Sequence, residues 1–101
     1  MSTTITNTNY LKGIAENEAG KHAEAVKTMD VLIEKKPAYS KAYFQRGRAY
    51  QGTKDYLKAE KDYEKAINLD PKNPKAHYNF ATLKFLQQDY VGAITGFKKN
   101  Y

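Results

Sequence analysis

Ser40 to Asn73 reads SKAYFQRGRAYQGTKDYLKAEKDYEKAINLDPKN, and its key residues recur on both sides at a step of 34. Ala59 is preceded by Ala25 and followed by Ala93. Tyr63 stands between Met29 and Phe97, Gly47 between Gly13 and Ala81, and Tyr56 between His22 and Tyr90, while Pro71 follows Pro37. Five columns in one phase describe a single structural unit present three times. Within the quoted stretch, Tyr56, Ala59, Tyr63, Ala66 and Ile67 follow steps of three and four, the spacing of a helix with one apolar face. Gly47 and Ala59 are small enough to let two helices cross closely, and Tyr43, Tyr50, Tyr63 and Ile67 are large enough to fill the space around that crossing. Glycine or proline marks the joins near Gly20, Pro37, Gly52 and Pro71. Each unit therefore reads as a pair of helices. No stretch alternates with a period of two for long enough to argue a strand.

The pattern predicts six helices, over about 8–19, 22–36, 40–52, 56–69, 74–87 and 90–101. Asp55 and Asp89 are placed to cap the second helix of units two and three, and Asn73 precedes a proline suited to the first helical position. Ala25, Ala59, Ala93, Gly47, Tyr63 and Phe97 are expected among the most buried residues. Residues 1–7 are polar and read as a flexible lead-in, followed by one domain over 8–101 with units at about 6–39, 40–73 and 74–101.

The quoted unit resembles the tetratricopeptide (TPR) repeat, whose consensus of 34 residues has the form large-x2-L-G-x2-Y, then A-x3-F, then Pro. Tyr43 stands at the tryptophan position, followed by Gly47, Tyr50, Tyr56, Ala59, Tyr63, Ala66 and Pro71. Arg46 departs from the usual leucine. The third unit keeps Tyr78, Asn79, Ala81, Tyr90, Ala93, Ile94 and Phe97 and departs at His77 and Lys84. The first keeps Gly13, Gly20, Ala25 and Pro37 but has Asn9, Lys12 and Glu16 at usual core positions. The resemblance implies an all-α fold, a right-handed α-solenoid of three helix–turn–helix TPR pairs, and a non-catalytic scaffold that binds a protein or peptide.

Composition bounds the alternatives. There is no cysteine among the 101 residues, so disulfides, thiolate metal sites and cysteine nucleophiles are excluded. This fits a reducing, cytoplasmic setting. The polar start MSTTITNTN is not a signal peptide, and no apolar run reaches membrane-spanning length. His22 and His77 have no motif around them and fall in packing columns, so neither reads as a catalytic base or metal ligand, and no enzyme, cofactor or metal is expected. Residues 1–39 carry five basic and five acidic side chains, residues 40–73 eight and five, and residues 74–101 four and one, giving 0, +3 and +3. The net +6 is thus confined to the last two units. It suits an acidic partner, although a solvated lysine-rich surface gives the same balance. Nucleic-acid binding through that basic surface is the alternative reading, disfavoured because most aromatics occupy packing columns.

The resemblance also implies that the first helix of each pair lines a concave groove. The inward positions there include Tyr10 and Ile14 in unit one, Lys41, Phe44, Gln45 and Arg48 in unit two, and Lys75, Tyr78, Asn79, Thr82 and Phe85 in unit three. Tyr10, Phe44 and Tyr78 form an aromatic column beside Lys41, Arg48 and Lys75, suited to an extended peptide with apolar side chains and some carboxylates. Chaperone-binding members of the family grip two carboxylates with Lys and Asn in the first repeat, Asn in the second, and Lys and Arg in the third. This chain has Tyr10 and Ile14, Gln45, then Lys75 and Asn79. Only Lys75 matches, so a chaperone C-terminal tail is not the expected ligand. Ile94, Phe97 and Tyr101 would be left uncovered on the last helix, which makes self-association as a homodimer a further expectation.

Overall fold

The computed structural model describes the backbone of residues 2–99 and the side chains of residues 7–88. Five helices follow one another: α1 (Ser2–Glu18), α2 (His22–Lys35), α3 (Ser40–Gly52), α4 (Tyr56–Leu69) and α5 (Pro74–Lys99). Each packs on the next, and α3 also touches α1 and α5, so the odd-numbered helices share one layer and α2 and α4 back it. This is an all-helical repeat solenoid, and no strand occurs among the described residues.

Two buried clusters hold it together. Phe44, Ala59, Tyr63, Ala66, Ala76 and Leu83 form one, joining α3, α4 and α5; Met29, Leu32 and Ala42 form the other, joining α2 and α3. Ala25, Ala59 and Tyr63 are fully buried as the columns predict, and Gly47 is buried with them. Ala93 and Phe97 lie outside the described side chains. A Cβ at Gly47 would come within 2.7 Å of the Tyr63 ring, so the close approach of α3 and α4 needs a hydrogen there. The Met29 side chain presses on Gly13 in the same way one repeat earlier. Glu16, one of the unexpected polar residues of α1, accepts a 2.6 Å bond from the Thr28 hydroxyl and so ties α1 to α2.

Arg46 is the most consequential departure from the repeat pattern. Its guanidinium donates two 2.8 Å bonds to the two oxygens of Asp62 on α4, and a third, at 2.9 Å, to Asp30 on α2. It also lies over the rings of Tyr43 and Tyr50, with centroid distances of 5.6 and 5.9 Å. One side chain therefore replaces an apolar contact by a bridge across three helices. The Asp62 bonds, against some opposing desolvation, hold the Arg46 pKa above its already high ordinary value. Burial pushes the Asp62 carboxyl up, and the arginine fork pulls it back.

The joins explain the helix count. At the first, Gly20 has φ +79°, and Lys21 N–H donates to the Glu16 carbonyl. One repeat on, Lys54 takes φ +67° and Asp55 N–H donates to Tyr50. That turn is helped by Gly52 and by the Thr53 hydroxyl, whose single proton lies between two acceptors, the Tyr50 carbonyl at 3.0 Å and the Asp55 carboxylate at 3.1 Å. Asp55 thus spends its side chain on Thr53 and makes no side-chain cap for α4, contrary to expectation. Asn73 does cap α5, its Oδ1 accepting from Lys75 N–H at 3.0 Å. The third join is absent. Where the second has Gly52-Thr53-Lys54, the third repeat has Leu86-Gln87-Gln88, all good helix formers with no residue that favours a left-handed turn. Helix α5 accordingly runs unbroken from Pro74 to Lys99, and the predicted pair at 74–87 and 90–101 is corrected to a single helix. At the other end α1 begins at Ser2 rather than near residue 8, so its first turns extend into the stretch read as a lead-in.

Candidate functional site

A cleft of about 640 Å³ opens on the layer formed by α1, α3 and α5. Tyr10, Ile14 and Glu18 come from α1, and Lys41, Phe44, Gln45 and Arg48 from α3. Asp70 and Asn73, from the connection between α4 and α5, and Lys75 and Asn79, at the start of α5, close the other side. Helical geometry accounts for the α3 contribution: residues 41, 44, 45 and 48 are spaced by three and four and share one face.

These residues differ in what they can offer a ligand. Lys41 and Lys75 are exposed on the rim, while Tyr10, Ile14, Arg48 and Asn79 are half-buried. Phe44 is only 6% exposed, its ring 6.0 Å from that of Tyr63, so it is chiefly a core residue that forms the cleft floor. Gln45 is 5% exposed, and its Oε1 already accepts from Asn17 Nδ2 at 3.2 Å and from Arg48 at 3.3 Å. It supports the cleft from below. Asn79 donates to the Lys75 carbonyl of its own helix.

The expected aromatic column does not form a continuous surface. Tyr10 stacks at a tilt on Tyr39 at 5.7 Å, Phe44 is buried, and Tyr78 is 73% exposed. Tyr78, Thr82 and Phe85 lie outside the cleft lining, and the Thr82 hydroxyl donates back to the Tyr78 carbonyl. Sequence reasoning missed Glu18, Asp70 and Asn73. Glu18 is the last residue of α1, one turn beyond Ile14 on the same face, and Asp70 and Asn73 belong to an interhelical connection, which has no helical period. With Lys41, Arg48 and Lys75 opposed by Glu18 and Asp70, the lining carries three positive and two negative side chains. Its positive character is local to the rim rather than a broad basic field. The side chains of Ile94, Phe97 and Tyr101 lie outside the described residues.

Both histidines make structural hydrogen bonds, His22 from a half-buried position and His77 from an exposed one. The His22 ring sits against Gly52, and its Nδ1 donates to Asn17 Oδ1 at 3.1 Å. His77 Nε2 donates to the Pro71 carbonyl at 2.7 Å, and one repeat earlier the Tyr43 hydroxyl donates to the Pro37 carbonyl at the same distance. A histidine has thus taken over a tyrosine's structural bond at the equivalent position. Among the described residues no helix is long and apolar enough to cross a membrane.

Four tyrosines give the fold an alkaline limit. Burial raises the phenol pKa of Tyr10, Tyr39, Tyr50 and Tyr63 above the ordinary value of 10. The unfolded chain releases these protons at about pH 10, whereas the folded chain holds them to higher pH. Their stabilisation is complete below pH 10 and is lost as pH rises through the raised folded values. Thermal unfolding followed by circular dichroism should show a midpoint that falls above about pH 10, together with delayed phenolate absorbance near 295 nm relative to denatured chain. Phenolate appearing at the same pH in both states would contradict the burial of these rings.

Comparison with known proteins agrees with the helix-pair architecture. Tetratricopeptide repeat family models match residues 40–73 and 62–95. The chain is 34% identical to the DnaJ homolog subfamily C member 7 homolog of Dictyostelium discoideum, in an alignment covering 67% of this chain and 14% of that protein. It therefore spans a small part of that relative. Among solved structures, the first TPR domain of human RPAP3 superposes with a TM-score of 0.77 at 25% identity, covering 80% of this chain and 64% of that one. The second TPR domain of human RPAP3, in complex with the HSP70 peptide SGPTIEEVD, gives 0.74 at 26% identity, covering 78% and 66%. The 34-residue columns, the alternating helix layers and these matches lead to one assignment: the chain belongs to the tetratricopeptide repeat family.

Proposed function

We propose that this chain is a non-catalytic protein-interaction module that holds an extended peptide segment in the cleft between α1, α3 and α5. The observation that carries the reading is the placement of Lys41, Arg48 and Lys75 around an apolar floor of Tyr10, Ile14 and Phe44. Carboxylates of the peptide would meet Lys41 and Lys75 at the rim and the planar fork of Arg48 further in, and its apolar side chains would cover Tyr10 and Ile14. Glu18 and Asp70 would favour peptides whose charge is mixed rather than uniformly acidic.

A TPR neighbour described in complex with a chaperone peptide leaves the exclusion of chaperone tails without support, so such tails belong among the ligands to be tried. Residue types at the clamp positions still differ, and the test decides between the two. Fluorescence anisotropy with a library of acidic-apolar peptides, peptides ending in EEVD and single-stranded RNA, each over a salt series, separates the readings. A peptide ligand should bind with modest salt dependence, and Lys41→Glu with Lys75→Glu should weaken it at least about tenfold, or about 1.4 kcal/mol. Both lysines are exposed, so the folded state should be retained. Steeply salt-dependent RNA binding without any peptide ligand would overturn the proposal in favour of a nucleic-acid role.

A further inference from the structure

The third repeat has a socket but does not fill it. In repeat two, the α3 face of Phe44, Gly47 and Gln51 is covered by Tyr63. The rings of Phe44 and Tyr63 lie 6.0 Å apart, the Tyr63 ring sits against Gly47, and its hydroxyl donates to Gln51 Oε1 at 2.8 Å. One repeat later the same three positions are Tyr78, Ala81 and Phe85 on α5. All three are exposed, Tyr78 by 73% and Phe85 by 62%. The residue in the Tyr63 column is Phe97, on the same uninterrupted helix. A helix cannot fold onto its own face, so Phe97 cannot reach this socket within the chain while α5 is continuous.

We propose that the socket of Tyr78, Ala81 and Phe85 is filled by residues 90–99 of a second copy of this chain, in a reciprocal two-fold exchange. Three observations name this occupant. The segment carries the columns that cover the equivalent face in repeat two, with Tyr90, Ala93 and Phe97 in the places of Tyr56, Ala59 and Tyr63. The chemistry changes on both sides together: the tyrosine hydroxyl and its glutamine acceptor are replaced by Phe97 and Phe85, an apolar pair. The shape is also that of an arm held out. Helix α5 has 26 residues where α3 and α4 have 13 and 14, so its second half runs on instead of turning back along the first. Two antiparallel α5 helices would each cover the other's socket, which closes the pair without leaving a further sticky surface. The absent turn at Leu86-Gln87-Gln88 is the hinge of the exchange, since straightening it converts an intramolecular hairpin into an intermolecular one.

The test uses the full 101-residue chain and its lack of cysteine. Sedimentation equilibrium should show a dimer at micromolar concentration. Mixing Ala81→Cys chains with Phe97→Cys chains and adding a short bis-maleimide should give hetero-cross-linked 81–97 dimers in excess of the 81–81 and 97–97 products. Gln88→Gly, which places glycine in the column where Gly20 turns the chain, should favour the closed hairpin and weaken the dimer at least about tenfold, with helicity retained. A monomer at high micromolar concentration, a dimer that yields only like-with-like cross-links, or a dimer indifferent to Gln88→Gly would each overturn the exchange. None of these results depends on whether the cleft binds a peptide.

Discussion

Arg46→Ala should destabilise the fold by about 3–5 kcal/mol, because it strands the Asp62 carboxylate in the interface between α3 and α4. Asp62 is only 5% exposed, and both of its oxygens are taken by the guanidinium. Removing the arginine leaves a buried charge with no compensating donor. It also frees Asp30 and uncovers Tyr43 and Tyr50. For a domain of this size the thermal midpoint should fall by more than about 12 °C. Two controls make the cause visible. The unpaired Asp62 carboxyl would have a still higher folded pKa, and a raised acid stabilises the fold below its unfolded pKa and loses that contribution as pH rises. The variant's deficit should therefore shrink on acidification toward pH 4 and be largest at neutral pH. The double change Arg46→Leu with Asp62→Leu should recover much of the loss, since the penalty comes from the unpaired charge rather than from the missing bridge. Equal losses for the single and double variants would mean that the bridge itself, not the stranded carboxylate, supports the helices.

Tyr63→Ala should cost a similar amount, about 3–5 kcal/mol, for a different reason. Tyr63 is the largest fully buried side chain among the described residues, and it touches Gly47, Phe44 and Gln51 on α3. Gly47 has no side chain with which to refill the space, so the cavity would persist and add its own penalty to the lost apolar burial. Tyr63→Phe isolates the hydroxyl. It should cost about 1 kcal/mol, the net value of the bond to Gln51, with the ring packing intact. Urea denaturation of both variants measures the difference. If the phenylalanine variant proved as unstable as the alanine one, the hydrogen bond rather than the ring would be the main support of the α3–α4 crossing.

Most of the architecture was legible because it is written as spacing. The columns of Ala25 and Ala59, of Gly13 and Gly47, and of Met29 and Tyr63 each state a helix crossing, and the residues that fill them are buried where the period put them. The cleft was legible to the extent that it lies on helices: Tyr10, Ile14, Lys41, Arg48, Lys75 and Asn79 come together because a helical face is a periodic object. Asp70 and Asn73 escaped notice because connections have no period; Glu18 is in period, four residues after Ile14 on α1, but stands at none of the inward positions that the resemblance implies. The splitting of the aromatic column was also hidden. Tyr10, Phe44 and Tyr78 share one position in the repeat, but their exposure depends on what packs behind each of them, and that differs from repeat to repeat.

The 34-residue recurrence by itself determined the helix-pair unit, the small residues at its crossing and the family, because each follows from which residues return on one face. Tertiary structure alone decided three other things. It showed that Arg46, an anomaly in a list of consensus positions, is satisfied by two aspartates from two other helices, a fact that no local pattern contains. It brought Glu18 and Asp70 into the same cleft as Lys41, Arg48 and Lys75, which the net charge of each repeat does not reveal. It also showed that the third turn does not form: the period of 34 calls for a join after residue 85, yet no left-handed residue such as Gly20 or Lys54 interrupts α5 there. Leu86, Gln87 and Gln88 supply no such residue, and the helix continues.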